Sequence, residues 1–275
     1  MNTMKFAVAS ADAAPPTAPI LLTGDVLENL KTAARLGYDA VEIHTEEDVD
    51  WDCRNILSAA EESNVSVAAI VTGRLNTRDR VSLTDDRPDV SQAALDGLLR
   101  YTEMAKALRT DIIIGWAKGK IPEGRDKRPY LDRLAKQLKI IGRVAEANGV
   151  KVHLEAINRY ETNIFNTAKE TADFLAEYEL PGCDIHLDTF HMGIEEADPY
   201  RAISEAGRLL GYFHVADNTR GCPGSGCFDF ERILIALGKV DYRGFVSVEC
   251  LPGSDGEETA RRAIAHLKQS LKKRR

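Results

Sequence analysis

The 275-residue sequence predicts one (β/α)8 barrel, and three observations carry that reading. Short apolar runs recur eight times at regular spacing, and an amphipathic, helix-like stretch follows each. No Gly-rich phosphate turn follows the first run, which weighs against an open doubly wound sheet. The length suits a single barrel domain, 1–275, better than two separate cores.

The first run, Lys5–Ser10, reads as a strand; FAVASADAAPP is too short and too Pro-broken for a secretion leader. Helix Asp25–Leu36 follows and stops at Gly37, the residue type that tolerates the left-handed turn ending a helix. Strand Ala40–Thr45 leads to helix Trp51–Ser63, and strand Val65–Val71 to helix Ser91–Leu108. The apolar run Asp111–Ala117 precedes Tyr130–Ala147, whose apolar residues recur at helical spacing. The remaining pairs are Lys151–Ile157 with Asn166–Tyr178, Cys183–Phe190 with Pro199–Ala206, Gly211–Asp217 with Phe230–Leu237, and Phe245–Leu251 with Glu257–Lys272. Two loops, Thr72–Val90 and Lys118–Pro129, are longer than connection alone requires. Both leave C-terminal strand ends, where such barrels keep their chemistry, so they are expected to cover a substrate.

A content of 44% hydrophobic and 29% charged residues is that of an ordinary soluble globular chain. The net charge of -7 argues against a sequence-independent grip on nucleic acid, which needs a basic surface, and no window approaches a membrane span. Five cysteines, an odd number without a CxxC pair, suit reduced thiols and a cytoplasmic setting. Cys222 and Cys227 lie in a loop whose composition makes a soft-metal site a poor reading.

The chemistry centres on KVHLEAINRYE (151–161). Alternation sends Val152, Leu154 and Ala156 outward to the helices and Glu155 inward, near the strand's C-terminal end. A buried carboxylate needs a partner or a cation. The next three strand ends carry Asp188, His214 and Glu249 at matching inward positions, flanked by Ile185 and Leu187, Phe213 and Val215, and Val246 and Val248. Singly, each has an ordinary explanation, an ion pair for the acids and a hydrogen-bonded core position for the histidine. Together, three carboxylates in one barrel mouth repel unless a divalent cation sits among them. Three oxygen donors and one imidazole favour Mn2+, Mg2+ or Co2+, with Zn2+ left open.

At these motifs the chain resembles the xylose-isomerase-like barrel superfamily, and within it the sugar phosphate isomerase/epimerase group that includes ketose 3-epimerases and hydroxypyruvate isomerases. The resemblance lies in HLEAINRYE (153–161), LDTFHMGIEE (187–196), FHVADNTRGCPGSG (213–226) and DYRGFVSVEC (241–250), and more loosely in GRLN and IIIGWAKGK. It implies that Glu155, Asp188, His214 and Glu249 hold a metal, Mn2+ first, and that Glu155 and Glu249 are the acid/base pair. It further implies that Glu161 binds a terminal hydroxyl of the substrate, that His191 and Arg220 contact substrate oxygens near the metal, and that the enzyme is a homo-dimer or homo-tetramer acting on a small sugar. Cys227 departs from the pattern, since a histidine or charged residue often follows the PGxG segment.

The resulting expectation is a metal-dependent epimerase of a ketose or keto-sugar acid, acting at C3 through an enediolate. An aldose–ketose or hydroxypyruvate-type isomerase is the first alternative. An endonuclease-IV-like hydrolase is the second, although that type needs more strand-end histidines than His44 supplies. Trp116 is read as stacking on the sugar or closing the barrel. His153 and His186 are expected as hydrogen-bonded interior groups, and Glu42 with His44 as site wall or internal ion pair. Lys118 and Lys120 read first as solvated loop lysines and second as contacts to a phosphate or carboxylate, and Asp217 with Asn218 as shaping the loop that carries Arg220.

Overall fold

In the computed structural model, which describes residues 4–273, eight parallel strands close into a barrel. They are β1 (Lys5–Ala11), β2 (Ala40–His44), β3 (Ser66–Val71), β4 (Ile112–Ile114), β5 (Val152–Glu155), β6 (Cys183–Asp188), β7 (Leu210–Val215) and β8 (Phe245–Val248). Each pairs with the next, and β8 returns to β1 through Lys5↔Phe245 to Val8↔Val248. A two-residue strand, Leu22–Thr23, adds to β1 at Ser10 and Ala11.

The helices are α1 (Val26–Leu36), α2 (Cys53–Glu62), α3 (Gly73–Thr77), α4 (Pro88–Leu108), α5 (Arg128–Ala147), α6 (Ala168–Tyr178), α7 (Thr189–Glu195), α8 (Pro199–Ala206), α9 (Phe230–Lys239) and α10 (Gly256–Lys273). Their limits follow local chemistry. Asp25 accepts from the Leu27 and Glu28 N–H groups to start α1, and Gly37 ends it at φ +89°. Thr167 and Glu170 form a reciprocal capping box on α6, and prolines stand in the first turns of α4, α5 and α8.

Two apolar layers result. Between strands and helices lies the main core, with Val41, Ile70, Leu98, Leu154, Leu187, Phe213 and Val248 among its buried members. Inside the barrel, Ala7, Ala40, Ala69, Val71, Ile113 and Tyr212 pack with Phe245. Small residues on β1–β3 leave the interior volume to the polar side chains of β5–β8. One of these, His153, sits between Asp184 and Asp111, its Nε2 3.4 Å from Asp111 Oδ2. Burial drives the imidazole down, but the two carboxylates outweigh it and push it up to about 9.

A group raised above its unfolded value stabilises fully below pH ~6.5 and loses that contribution as pH rises through its folded value. Denaturant titration of the parent should therefore lose on the order of 3 kcal/mol between those limits that His153→Gln protein does not lose. Equal pH slopes for the two proteins would refute this.

Several elements depart from the sequence reading. The fourth strand ends at Ile114, and Trp116–Lys118 forms a 3-10 turn. The sixth ends at Asp188, whose carboxylate caps α7 by accepting from Phe190 N–H at 2.8 Å. The strand expected over Phe245–Leu251 ends at Val248, so Glu249 lies one residue beyond it.

Candidate metal centre and active site

Asp188, His214 and Glu249 each place a ligand atom within 4.8 Å of the other two, and Glu155 does the same with Asp188 and His191. All are buried at the C-terminal mouth of the barrel. Gly115 makes room for Glu155, because a Cβ on that residue would collide with the Glu155 carboxylate.

The electrostatics of this cluster are unbalanced. Burial, then the negative charges of Glu249 and Asp188, push Glu155 up to about 8. Burial likewise raises Asp188, to about 6, against the opposing pull of Arg220. Glu249 is the exception: burial would raise it, but His214 and Arg220 beside it hold it at about 2. Its Oε2 accepts from Arg220 Nη2 at 2.6 Å.

Two buried atoms at the centre, Asp188 Oδ2 and His214 Nδ1, have no hydrogen-bond partner among the described residues. Unpartnered buried polar atoms are rare and ask for a ligand. Three carboxylates, one imidazole and two unpartnered atoms fit a divalent ion with oxygen-rich coordination.

Around the cluster, a second set of side chains is locked in place. Asn158 Nδ2 donates to Glu161 Oε1 at 2.7 Å and to His191 Nδ1 at 2.8 Å, while its Oδ1 accepts from Tyr160 N–H. His191 is therefore an acceptor at Nδ1 and carries its proton on Nε2, 3.6 Å from Glu155 Oε1. Burial, then the charge of Arg220, holds His191 well below its usual value, so it is neutral. Trp116 Nε1 donates to Glu161 Oε2 at 2.9 Å. Arg220 adopts the left-handed backbone at φ +58°, and its guanidinium lies 4.8 Å from the centroid of the Phe190 ring. Its loop is held by Asp217, which accepts from the N–H groups of Gly224, Gly226 and Phe228.

A cavity of about 380 Å3 opens above the cluster, with Glu155, His191, Arg220 and Glu249 along its floor. Its walls come from Gly73, Arg74 and Thr77 of the first long loop, from Trp116, and from Ala13–Ile20 after β1. Arg74 fastens the last of these by donating to Ala13 O at 2.6 Å and pairing with Asp12.

The second long loop does not line the cavity. Lys118, expected in solvent, is fully buried, with Nζ donating to the Glu155 main-chain oxygen. Burial lowers it to about 8 against the pull of Glu155 and Glu161. His186, expected to be hydrogen-bonded, has no partner for either ring nitrogen among the described residues and lies edge-on to His214, with ring centroids 4.1 Å apart. Asn158 and the Ala13–Ile20 loop escaped the sequence reading. The only signals there were an Asn three residues before Glu161 and a Pro-rich turn at a C-terminal strand end.

Fold and site together define a class, a (β/α)8-barrel enzyme with a carboxylate- and histidine-lined candidate metal centre. The chain belongs to the xylose isomerase-like TIM-barrel family, whose model matches residues 30–270. It is 31% identical over 221 residues to a ketose 3-epimerase of Arthrobacter globiformis, covering 79% of this chain and 75% of that one. Identity is 33% over 220 residues, with the same coverage, to an L-ribulose 3-epimerase of Methylomonas sp. (strain DH-1). The crystal structure of a D-allulose 3-epimerase from Methylomonas sp. in complex with D-allulose superposes with a TM-score of 0.81 at 26% identity, covering 97% of each chain. These relatives are epimerases, enzymes of the isomerase class.

Proposed function

We propose that the chain is a divalent-metal-dependent epimerase of a ketose or keto-sugar acid, inverting C3. The observation that carries this reading is the cluster itself, with Glu155 and Glu249 entering from strands three apart around a barrel of eight, over a sugar-sized cavity. Glu155, Asp188, His214 and Glu249 would hold the ion, Mn2+ before Mg2+, Co2+ or Zn2+, because oxygen donors outnumber the single imidazole. When bound, such an ion supplies Lewis-acid stabilisation of negative charge on the substrate's carbonyl and neighbouring hydroxyl oxygens.

The protein's own groups account for the remainder. One glutamate removes the C3 proton from one face and the other returns a proton to the opposite face, which inverts the centre. His191, neutral and with Nε2–H facing the cluster, donates to a substrate oxygen, and Arg220 orients another. Glu161, steadied by Asn158 and Trp116, receives a terminal hydroxyl. Trp116 and the Ala13–Ile20 loop narrow access for water. The reading includes a homo-dimer or homo-tetramer and, with all five cysteines free, a cytoplasmic setting. No helix among the described residues is long and apolar enough to cross a membrane.

The test is incubation of the Mn2+-supplemented protein with free ketoses, ketose phosphates and keto-sugar acids in D2O, followed by NMR. Deuterium at C3 with formation of the epimer is expected. Deuterium at C1 or C2 with aldose formation would make it an isomerase, and cleavage of abasic DNA a hydrolase. No exchange with any of these sugars sinks the proposal.

A further inference from the structure

We propose that Glu42 is a positioning residue that dedicates His214 Nδ1 to the metal ion. This inference rests on the metal centre proposed above. Glu42 lies on β2, three strands round the barrel from β7, faces the barrel interior and is fully buried. Its Oε2 meets His214 Nε2 at 2.7 Å and its Oε1 meets His44 Nε2 at 3.0 Å. No lysine or arginine pairs with it among the described residues. A carboxylate so placed accepts the Nε2 proton and leaves the other ring nitrogen to turn toward the cluster. That nitrogen, Nδ1, is buried without a hydrogen-bond partner among the described residues and lies 3.6 Å from Glu249 Oε2.

Glu42 is itself close enough to His44 and Glu249 to form a ligand group. Both of its oxygens are already engaged by imidazoles, however, whereas Asp188 Oδ2 and His214 Nδ1 have no hydrogen-bond partner among the described residues. The ion therefore belongs on the Nδ1 side, and Glu42 acts on it through the histidine. Carboxylates that orient ligating histidines characteristically change metal affinity by about 10–100-fold when removed.

The experiment compares the parent with Glu42→Gln and Glu42→Leu proteins, each stripped with EDTA and titrated calorimetrically with Mn2+. Glutamine retains an acceptor oxygen and is expected to weaken binding about tenfold; leucine, which retains none, about a hundredfold. A second readout is 15N NMR of the Zn2+-loaded proteins. The His214 Nε2 proton should exchange slowly with water in the parent and rapidly in the leucine variant. If Glu42→Leu does not fold, Glu42→Gln carries the comparison alone. Variants that bind Mn2+ within twofold of the parent, with unchanged exchange, overturn this inference and leave the proposed function standing. Loss of more than about 10⁴-fold in both variants overturns it in favour of direct ligation, well beyond the orienting range. A parent that takes up no divalent ion overturns the proposed function and this inference together.

Discussion

Replacing Glu155 with glutamine is expected to slow deuterium exchange at the reacting carbon by about 10³-fold and yet leave the metal-free protein no less stable than the parent. The stability half of this expectation follows from the raised ionisation of Glu155, at about 8. A carboxyl raised above its unfolded value costs the fold nothing while both states keep the proton, and an increasing amount as pH climbs from the unfolded value to the folded one. Glutamine resembles the neutral form at every pH, so the variant should unfold at the parent's temperature below pH ~4.5 and increasingly above it as pH rises, the difference levelling off beyond pH ~8. Glu249→Gln should lose activity to the same extent, with the opposite effect on stability. Its carboxylate, held at about 2, is the partner of both Arg220 and His214. Removing one member of a buried ion pair typically destabilises by about 3–5 kcal/mol. Initial rates in D2O and thermal unfolding with EDTA measure both effects. Exchange within tenfold of the parent in either variant would remove that glutamate from the chemistry.

Loading with Mn2+ should raise the unfolding temperature, and raise it more at pH 8 than at pH 6. Ligand groups must be deprotonated to take an ion, and the metal-free cluster retains protons unusually far up the scale. Glu155 holds its proton to about 8 and Asp188 to about 6, while Glu42 and Glu249 keep His214 protonated well above the usual imidazole range. Each proton displaced makes affinity fall by about tenfold per pH unit below the corresponding ionisation. The same raised groups make the metal-free protein less stable as pH rises, so the loaded and stripped proteins diverge toward alkaline pH. Calorimetry in buffers of different ionisation enthalpy counts the protons released, with at least one expected at pH 7. Affinity that stays flat between pH 6 and pH 8 would mean that the ion binds elsewhere.

The barrel and the four strand-end residues could be read in advance because both depend on short-range periodicity. Inward parity on β5–β8 is set within each strand, so Glu155, Asp188, His214 and Glu249 could be placed from the sequence alone. What escaped depends on contacts across the barrel or between loops. The internal pairing expected of Glu42 and His44 is present, at 3.0 Å, but the further tie of Glu42 to His214 spans 172 residues and leaves no local mark. Lys118 looked solvated because nothing local reveals that the turn Trp116–Lys118 folds it beneath the end of β5. Asn158 has no strand or helix period to mark it, and its role is visible only once Glu161 and His191 converge on it.

The cavity walls come from a different part of the chain than its floor. The groups proposed to hold the ion and move the proton lie between Glu155 and Glu249, whereas Ala13–Ile20, Arg74 and Thr77 surround the space proposed for the far end of a sugar. This division of labour makes substrate preference separable from turnover. A broader, narrower or differently charged sugar tail can be accommodated by rewriting a short Pro-rich loop and one arginine clasp, with the reacting carbon and its two glutamates left untouched.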